Sequence, residues 1–405
     1  MRTDFFRFPE PAAPVSPELL WVLARAFGPV TGGPRAAVET QPALALARRL
    51  SVASRIVSRV PYHLLEEEIG KHGASVLREA FHADAAQAVV LQAVAREVAG
   101  RAAQLGIPCV LLKFCALQVE GVLILGSRSA GDVDVLVPKG AGRGFCAALI
   151  AAGYRADRGW PGNHQFSPLH HPAGPVVEVH RSVPGLSSGR TRRAATLDEL
   201  RAGGLLRAAP EVAPTTLLPV RRLLVLHALI HGLAQHGMAP YTYPPFRFIA
   251  DLQDLGVGAG EWAALLGDSS PPLSRVLSPA ELTAAREVSE HLLAGTVAEL
   301  LTSQELRETL AARLLRHLLA GALDSSYASY LRARNALHAR VGESQIGFVA
   351  RRVVQVIVVT PRAIEKRHGK PRSRWELAWR ILARPFELVA ELGRLVGRVL
   401  TFRAR

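Results

Sequence analysis

The chain has 405 residues and a mass of 43.6 kDa, more than one ordinary core organises, so two or three domains are expected. With 49% hydrophobic and 20% charged residues it is no disordered polymer. The formal charge of +15 is concentrated: Ile346 to Arg405 holds 14 basic and 4 acidic side chains, +10 of the total, and the body is nearly balanced.

Lysine is scarce, with five residues (Lys71, Lys113, Lys139, Lys366 and Lys370) against 44 arginines, a bias that reflects base composition as much as a taste for polyanions. The cysteines Cys109, Cys115 and Cys146 are odd in number and form no CxxC. No disulfide partner and no cysteine zinc site is expected, and a reducing cytoplasm fits. The N-terminus carries acids and prolines where a secretory leader needs a basic start and an unbroken apolar stretch. The longest uncharged apolar run, Val353 to Val359 with Gln355 inside it, falls far short of the roughly 20 residues that cross a bilayer.

In chain order, a Pro-rich start gives way to an amphipathic segment around Leu19 to Phe27. From Pro42 to Leu105 apolar residues recur at spacings near three and four, which predicts several packed helices. The texture changes at Gly106-Ile107-Pro108. Cys109 to Lys113 reads as a short strand, 114–121 as a helix, Asp132 to Pro138 as an alternating strand, 142–153 as a helix ending at Gly153, and Pro175 to Arg181 as a third strand. Three strands with helices between them make a small α/β module. After a Gly/Ser/Arg loop at 185–193, helical periodicity resumes from Leu217 to about Ala339. Gly256-Val-Gly-Ala-Gly260 follows a helix rather than a strand and reads as a turn, not a dinucleotide loop.

The chemistry concentrates in Ser127-Arg-Ser-Ala-Gly-Asp-Val-Asp-Val-Leu136. Strand side chains two apart share a face, about 6.5–7 Å apart along the chain. Asp132 and Asp134 therefore present two carboxylates while Val133 and Val135 anchor the other side. Such a pair suits a hard divalent cation, Mg²⁺ (or Mn²⁺), and in-line phosphoryl chemistry. Glu178, on a neighbouring strand, offers a third acid that can complete the metal shell or accept a proton from an attacking hydroxyl. His180 shares its face, although a single histidine near a strand end is more often structural. Lys113 ends a strand just before a helix, where positive charge and backbone N–H groups favour phosphate. Arg128 offers a second cationic donor.

Gly106-Ile-Pro-Cys-Val-Leu-Leu-Lys113, Arg128-Ser-Ala-Gly-Asp-Val-Asp-Val-Leu-Val137 and Val177-Glu-Val-His180 resemble the uncharacterised nucleotidyltransferase family of the polymerase-beta-like superfamily. The similarity extends to Leu226-His-Ala-Leu-Ile-His-Gly232 and Phe246-Arg-Phe-Ile-Ala-Asp-Leu252, and spans roughly 40–260. The resemblance implies an α+β or mixed α/β fold: a small palm with a mixed sheet, flanked by mainly helical regions. The expected organisation is a helical region over 1–105, the palm over 106–184, a helical domain over 185–345 and a basic amphipathic tail over 346–405. It implies that Asp132, Asp134 and Glu178 hold Mg²⁺ and carry catalysis, with Lys113, Arg128, Ser127, Arg247 and Asp251 about the nucleotide. One departure stands out: where the family places glycine after the lysine, this chain has Phe114, bulk that lowers activity or alters nucleotide geometry unless the ring turns into the core.

His227 and His231, at i and i+4 with His236 following, lack the third ligand of a zinc helix and read as helix-face residues. Arg247 and Asp251 share the same spacing and suit an ion pair on one helix. In the tail, Leu388, Val389, Leu392, Leu395, Val396, Val399 and Leu400 form an apolar stripe opposite Glu387, Glu391, Arg394 and Arg398. This predicts an amphipathic helix that packs on the body, lies on an anionic membrane surface, or binds a protein or nucleic acid.

The reading that follows is a Mg²⁺-dependent nucleotidyltransferase, with an NTP and an unidentified acceptor as partners and a cytoplasmic location as the expectation, peripheral membrane association through the tail being the alternative. Two rivals stand beside it: a non-catalytic nucleotide-binding or adaptor protein on the same fold, and a membrane- or nucleic-acid-associated protein acting through its tail.

Overall fold

The structure, a computed structural model, describes residues 15–29, 38–157, 164–186, 194–235, 244–267 and 277–337, with scattered positions between 373 and 397. Most of the tail, including the bulk of its apolar stripe, and His236 lie outside the described residues. Trp375, Trp379 and Phe386, which are described, are exposed.

The N-terminal helices are α1 (Pro17–Phe27), α2 (Thr40–Arg49), α3 (Ala53–Arg59) and α4 (Tyr62–Gln104). Ser16 caps α1 by accepting the Leu19 N–H, and Pro17 occupies the first turn, where its missing N–H costs nothing. The α4 span bends at Gly70, whose φ of 72° and ψ of 162° leave the helical region.

The α/β part follows as β1 (Cys109–Leu111), α5 (Lys113–Val119), β2 (Asp132–Leu136), α6 (Gly142–Ala151), β3 (Arg155–Ala156), β4 (Leu169–His170), β5 (Val176–His180), α7 (Leu197–Ala202), β6 (Leu206–Ala208) and β7 (Thr216–Pro219). These make one seven-stranded mixed sheet in the order β3-β4-β5-β2-β1-β7-β6. β2 runs parallel to β5 and β1 parallel to β7, while β1 and β2 are antiparallel. The fold class is therefore the mixed α/β one the sequence implies. The sheet is larger than the three strands read from the pattern, and β6 and β7 extend it past residue 184. Leu217 opens no helix: it lies within β7, and the following helix starts only after Pro219. A leucine pair beside a helix is ambiguous in period, and its pairing with β1 decides it as strand.

The C-terminal part contains α8 (Arg221–Ile230), continued by a π-helical turn at His231–Gln235, then α9 (Arg247–Asp254), α10 (Ala259–Gly267), α11 (Pro279–Ala294), α12 (Val297–Thr302), α13 (Leu310–Leu323) and α14 (Ser325–Leu337). One contiguous apolar core runs from Leu19 through the sheet valines to Leu319, and α1 packs on α11 and α12. The helical segments at the two ends thus meet around the sheet. Polar and close-packed contacts fix the helices within each end and across the junction. Arg25 pairs with Glu68, which also accepts the Trp21 indole N–H at 2.8 Å. Arg55 donates to both oxygens of Asp254 at 2.7 Å, which pins α9 against α3. Gly232 lets α9 approach closely, since a Cβ there would stand 2.5 Å from the Cβ of Phe248. No helix among the described residues is long and apolar enough to cross a membrane, and Cys109, Cys115 and Cys146 are free thiols.

Candidate functional site

Parallel pairing of β2 with β5 sets Asp132 opposite Val176, Asp134 opposite Glu178 and Leu136 opposite His180. Because side chains alternate, Val133, Val135, Val177 and Val179 are fully buried in the core, and the acids occupy the other face. β1 joins from the other side, with the Leu112 N–H donating to the Asp134 carbonyl at 3.0 Å, and the next residue is Lys113. Its φ of 48° is in the left-handed region, a conformation that a non-glycine residue holds only when its surroundings fix it.

Those surroundings are Asp134. Lys113 Nζ lies 2.7 Å from Asp134 Oδ1, and His180 Nε2 lies 2.8 Å from the same oxygen and 3.6 Å from Glu178 Oε2. Asp134 is 2% exposed. Burial alone would raise its pKa, but Lys113 and His180 hold it well below the usual carboxylate range. Burial likewise opposes the charge of Lys113, and is outweighed by Asp134, Asp132 and Glu178, so the ammonium sits above its ordinary value. Asp132 is raised, first by repulsion from Asp134 and then by burial. Glu178 is raised by burial and then by Asp134.

The ligand atoms of Asp134, Glu178 and His180 lie within 4.8 Å of one another. Asp132, at the strand's start, stands outside that close group yet within the electrostatic reach of Asp134 and Lys113. The donor chemistry fits a divalent cation. Carboxylates that raise one another's proton affinity are relieved by a positive charge between them.

A second layer faces this one. Arg128 Nε lies 2.9 Å from Asp251 Oδ1, and Nη2 donates to Oδ2 at 3.1 Å. Its Cζ is 5.4 Å from the Phe114 ring centroid. Phe114, 4% exposed, thus points into the core beneath Arg128, the orientation that keeps its bulk away from the mouth of the site. Arg247 Nη2 donates to Ser129 Oγ at 3.3 Å, and Arg128 reaches Asp251 from a distant segment. Burial raises the Asp251 pKa, with Arg128 and Arg247 opposing. The Ser127 hydroxyl is buried without a hydrogen-bond partner among the described residues, and its N–H donates to the Ile124 carbonyl at 3.0 Å. Gly126, at φ 87°, permits this turn against α4, where a Cβ would come within 2.9 Å of the Phe81 carbonyl.

Between α5, α8 and α9 opens a cleft that brings together Lys113, Arg128, His227, His231 and Asp251 over leucine walls. His227 and His231 are buried with rings 5.7 Å apart. Neither belongs to a three-ligand metal group among the described residues.

The profile of the uncharacterised nucleotidyltransferase family matches residues 36–264, more than half of the chain. The chain belongs to that family. The matched span holds the acidic strands, Lys113, Arg128 and the three helices of the cleft, and ends before α11. No curated protein and no solved structure matches the chain. His180, which its place near a strand end marked as more often structural, contacts both acids. The available signal was alternation, which puts 178 and 180 on one strand face. It gave no sign that Phe114 underlies Arg128, since the loop after α5 brings the two together.

Proposed function

We propose that the protein transfers a nucleoside monophosphate from an NTP to an acceptor hydroxyl or phosphate, with Mg²⁺ or Mn²⁺ bound on the acidic face. The acceptor oxygen forms a bond to the α-phosphorus, the bond from that phosphorus to the bridging oxygen breaks, and pyrophosphate leaves. The observation that carries this reading is the β2–β5 register, which faces Asp134 with Glu178 one strand away from Lys113.

The residues divide the work. Asp132, Asp134 and Glu178 supply the anionic face. When bound, the cation neutralises charge on the reacting phosphate and orients it for in-line displacement. Lys113 and Arg128 stand at the cleft as donors to phosphate oxygens, the fixed positive charge that phosphoryl transfer uses. Glu178 completes the cation's shell or takes the proton of an attacking hydroxyl.

The test is pyrophosphate release from each NTP in the presence of Mg²⁺ or Mn²⁺ and a lysate fraction as acceptor source, with mass-spectrometric location of the transferred nucleotide. Asp132→Asn is expected to reduce release at least about 100-fold, the scale of losing one electrostatic group at a reacting centre, with an unchanged melting curve. Equal rates in the variant and the native protein would reject the reading.

A further inference from the structure

His180 is more than a neighbour of the acids. Its Nε2 is the one nitrogen in the close group with Asp134 and Glu178, and Lys113 independently holds Asp134 Oδ1, so that oxygen does not depend on the histidine for its only partner. Two ligands at about 2.1 Å from a cation, in adjacent positions of a six-coordinate shell, lie about 3 Å apart, and no two can be farther apart than about 4.2 Å. The Nε2 separations of 2.8 Å from Asp134 and 3.6 Å from Glu178 fall within those limits, and the remaining pair, within 4.8 Å, needs a closure of at most about 0.6 Å.

We propose that His180 Nε2 is a direct ligand of the cation, so that the centre is a mixed nitrogen and oxygen site that prefers a first-row transition dication to Mg²⁺. This rests on the reading above only in taking the acidic face as a cation site. Coordination replaces the Nε2 hydrogen bond to Asp134, and the ring proton resides on Nδ1. Nδ1 is buried and has no hydrogen-bond partner among the described residues, so the ring is not committed through that atom to another role. The 3% exposure of His180 and the stacking of its ring on His164 at 5.6 Å hold the imidazole in place. Mg²⁺ favours an all-oxygen shell, whereas imidazole suits transition ions, whose affinities rise from Mn²⁺ to Co²⁺ at such sites.

The probe is Mn²⁺ added to the full chain without nucleotide. Electron spin-echo modulation of the bound ion is expected to show coupling to a directly ligated ¹⁴N. The coupling should change to the ¹⁵N pattern in uniformly ¹⁵N-labelled protein and vanish in His180→Gln. Titration calorimetry should rank Co²⁺ above Mn²⁺ and Mn²⁺ above Mg²⁺. His180→Gln should weaken Mn²⁺ about tenfold to a hundredfold, with a smaller change for Mg²⁺. The native-protein spectrum keeps the test decisive even if the variant folds poorly. Bound Mn²⁺ without nitrogen coupling, coupling that persists in a folded His180→Gln, or no Mn²⁺ binding would each overturn the proposal. Pyrophosphate release measured on the same samples separates the two readings. Release without nitrogen coupling sinks the ligand assignment alone, and coupling without release under any acceptor condition sinks the transferase reading alone.

Discussion

Arg128 and Asp251, 123 residues apart in the chain, meet as a two-pronged ion pair in which the side chains are only 10% and 6% exposed. The pair joins the loop that leads into the acidic strand to the helix that forms the far wall of the cleft, so the sheet and the helical part meet in an electrostatic contact at the mouth of the site.

Removing one partner leaves the other charged and buried. Arg128→Ala is expected to cost about 3 kcal/mol near neutral pH. The pKa of Asp251 is raised by burial, and Arg128 opposes that rise. A carboxyl raised in the folded state contributes stability below its unfolded pKa and loses it as pH rises through the folded value. Without Arg128 the folded pKa moves higher still, so urea denaturation of Arg128→Ala should show a steeper fall in stability above pH 4 than the native protein does. Parallel pH profiles would contradict the ion-pair geometry.

Phe114 serves as packing beneath Arg128. Phe114→Leu keeps most of the volume and should cost below about 1.5 kcal/mol, whereas Phe114→Ala opens a cavity worth about 3–5 kcal/mol. Chemical denaturation of both variants measures the difference. If the ring instead projected into the cleft, the alanine variant would keep its stability.

The bidentate contact of Arg55 with Asp254 ties the N-terminal helices to α9. Arg55→Met should lower stability by about 3 kcal/mol and accelerate amide exchange first in 247–254. Uniform exchange across the molecule would show that the tie is not local.

Gly232 admits α9 to close contact, and a methyl group there would press on Phe248. Gly232→Ala is expected to destabilise by about 1–3 kcal/mol through overpacking, despite alanine's higher helix propensity. A gain in melting temperature would contradict the packing.

Much of this protein is legible as sequence because its signals are local. Alternation at 132–136 and 176–180 puts valines on one face and acids on the other, and Gly153 ends a helix where the pattern stops. The family likeness at 106–113, 128–137 and 177–180 is likewise carried by short contiguous strings. Tertiary structure alone decided what those strings meet. That β7 belongs to the sheet depends on its pairing with β1 across a hundred residues. That Asp134 is held by Lys113 and His180, while Arg128 turns to Asp251 over Phe114, depends on strand register and on side chains brought together by loops. Periodicity reports which face of an element avoids water. It carries no record of which distant element covers the other face.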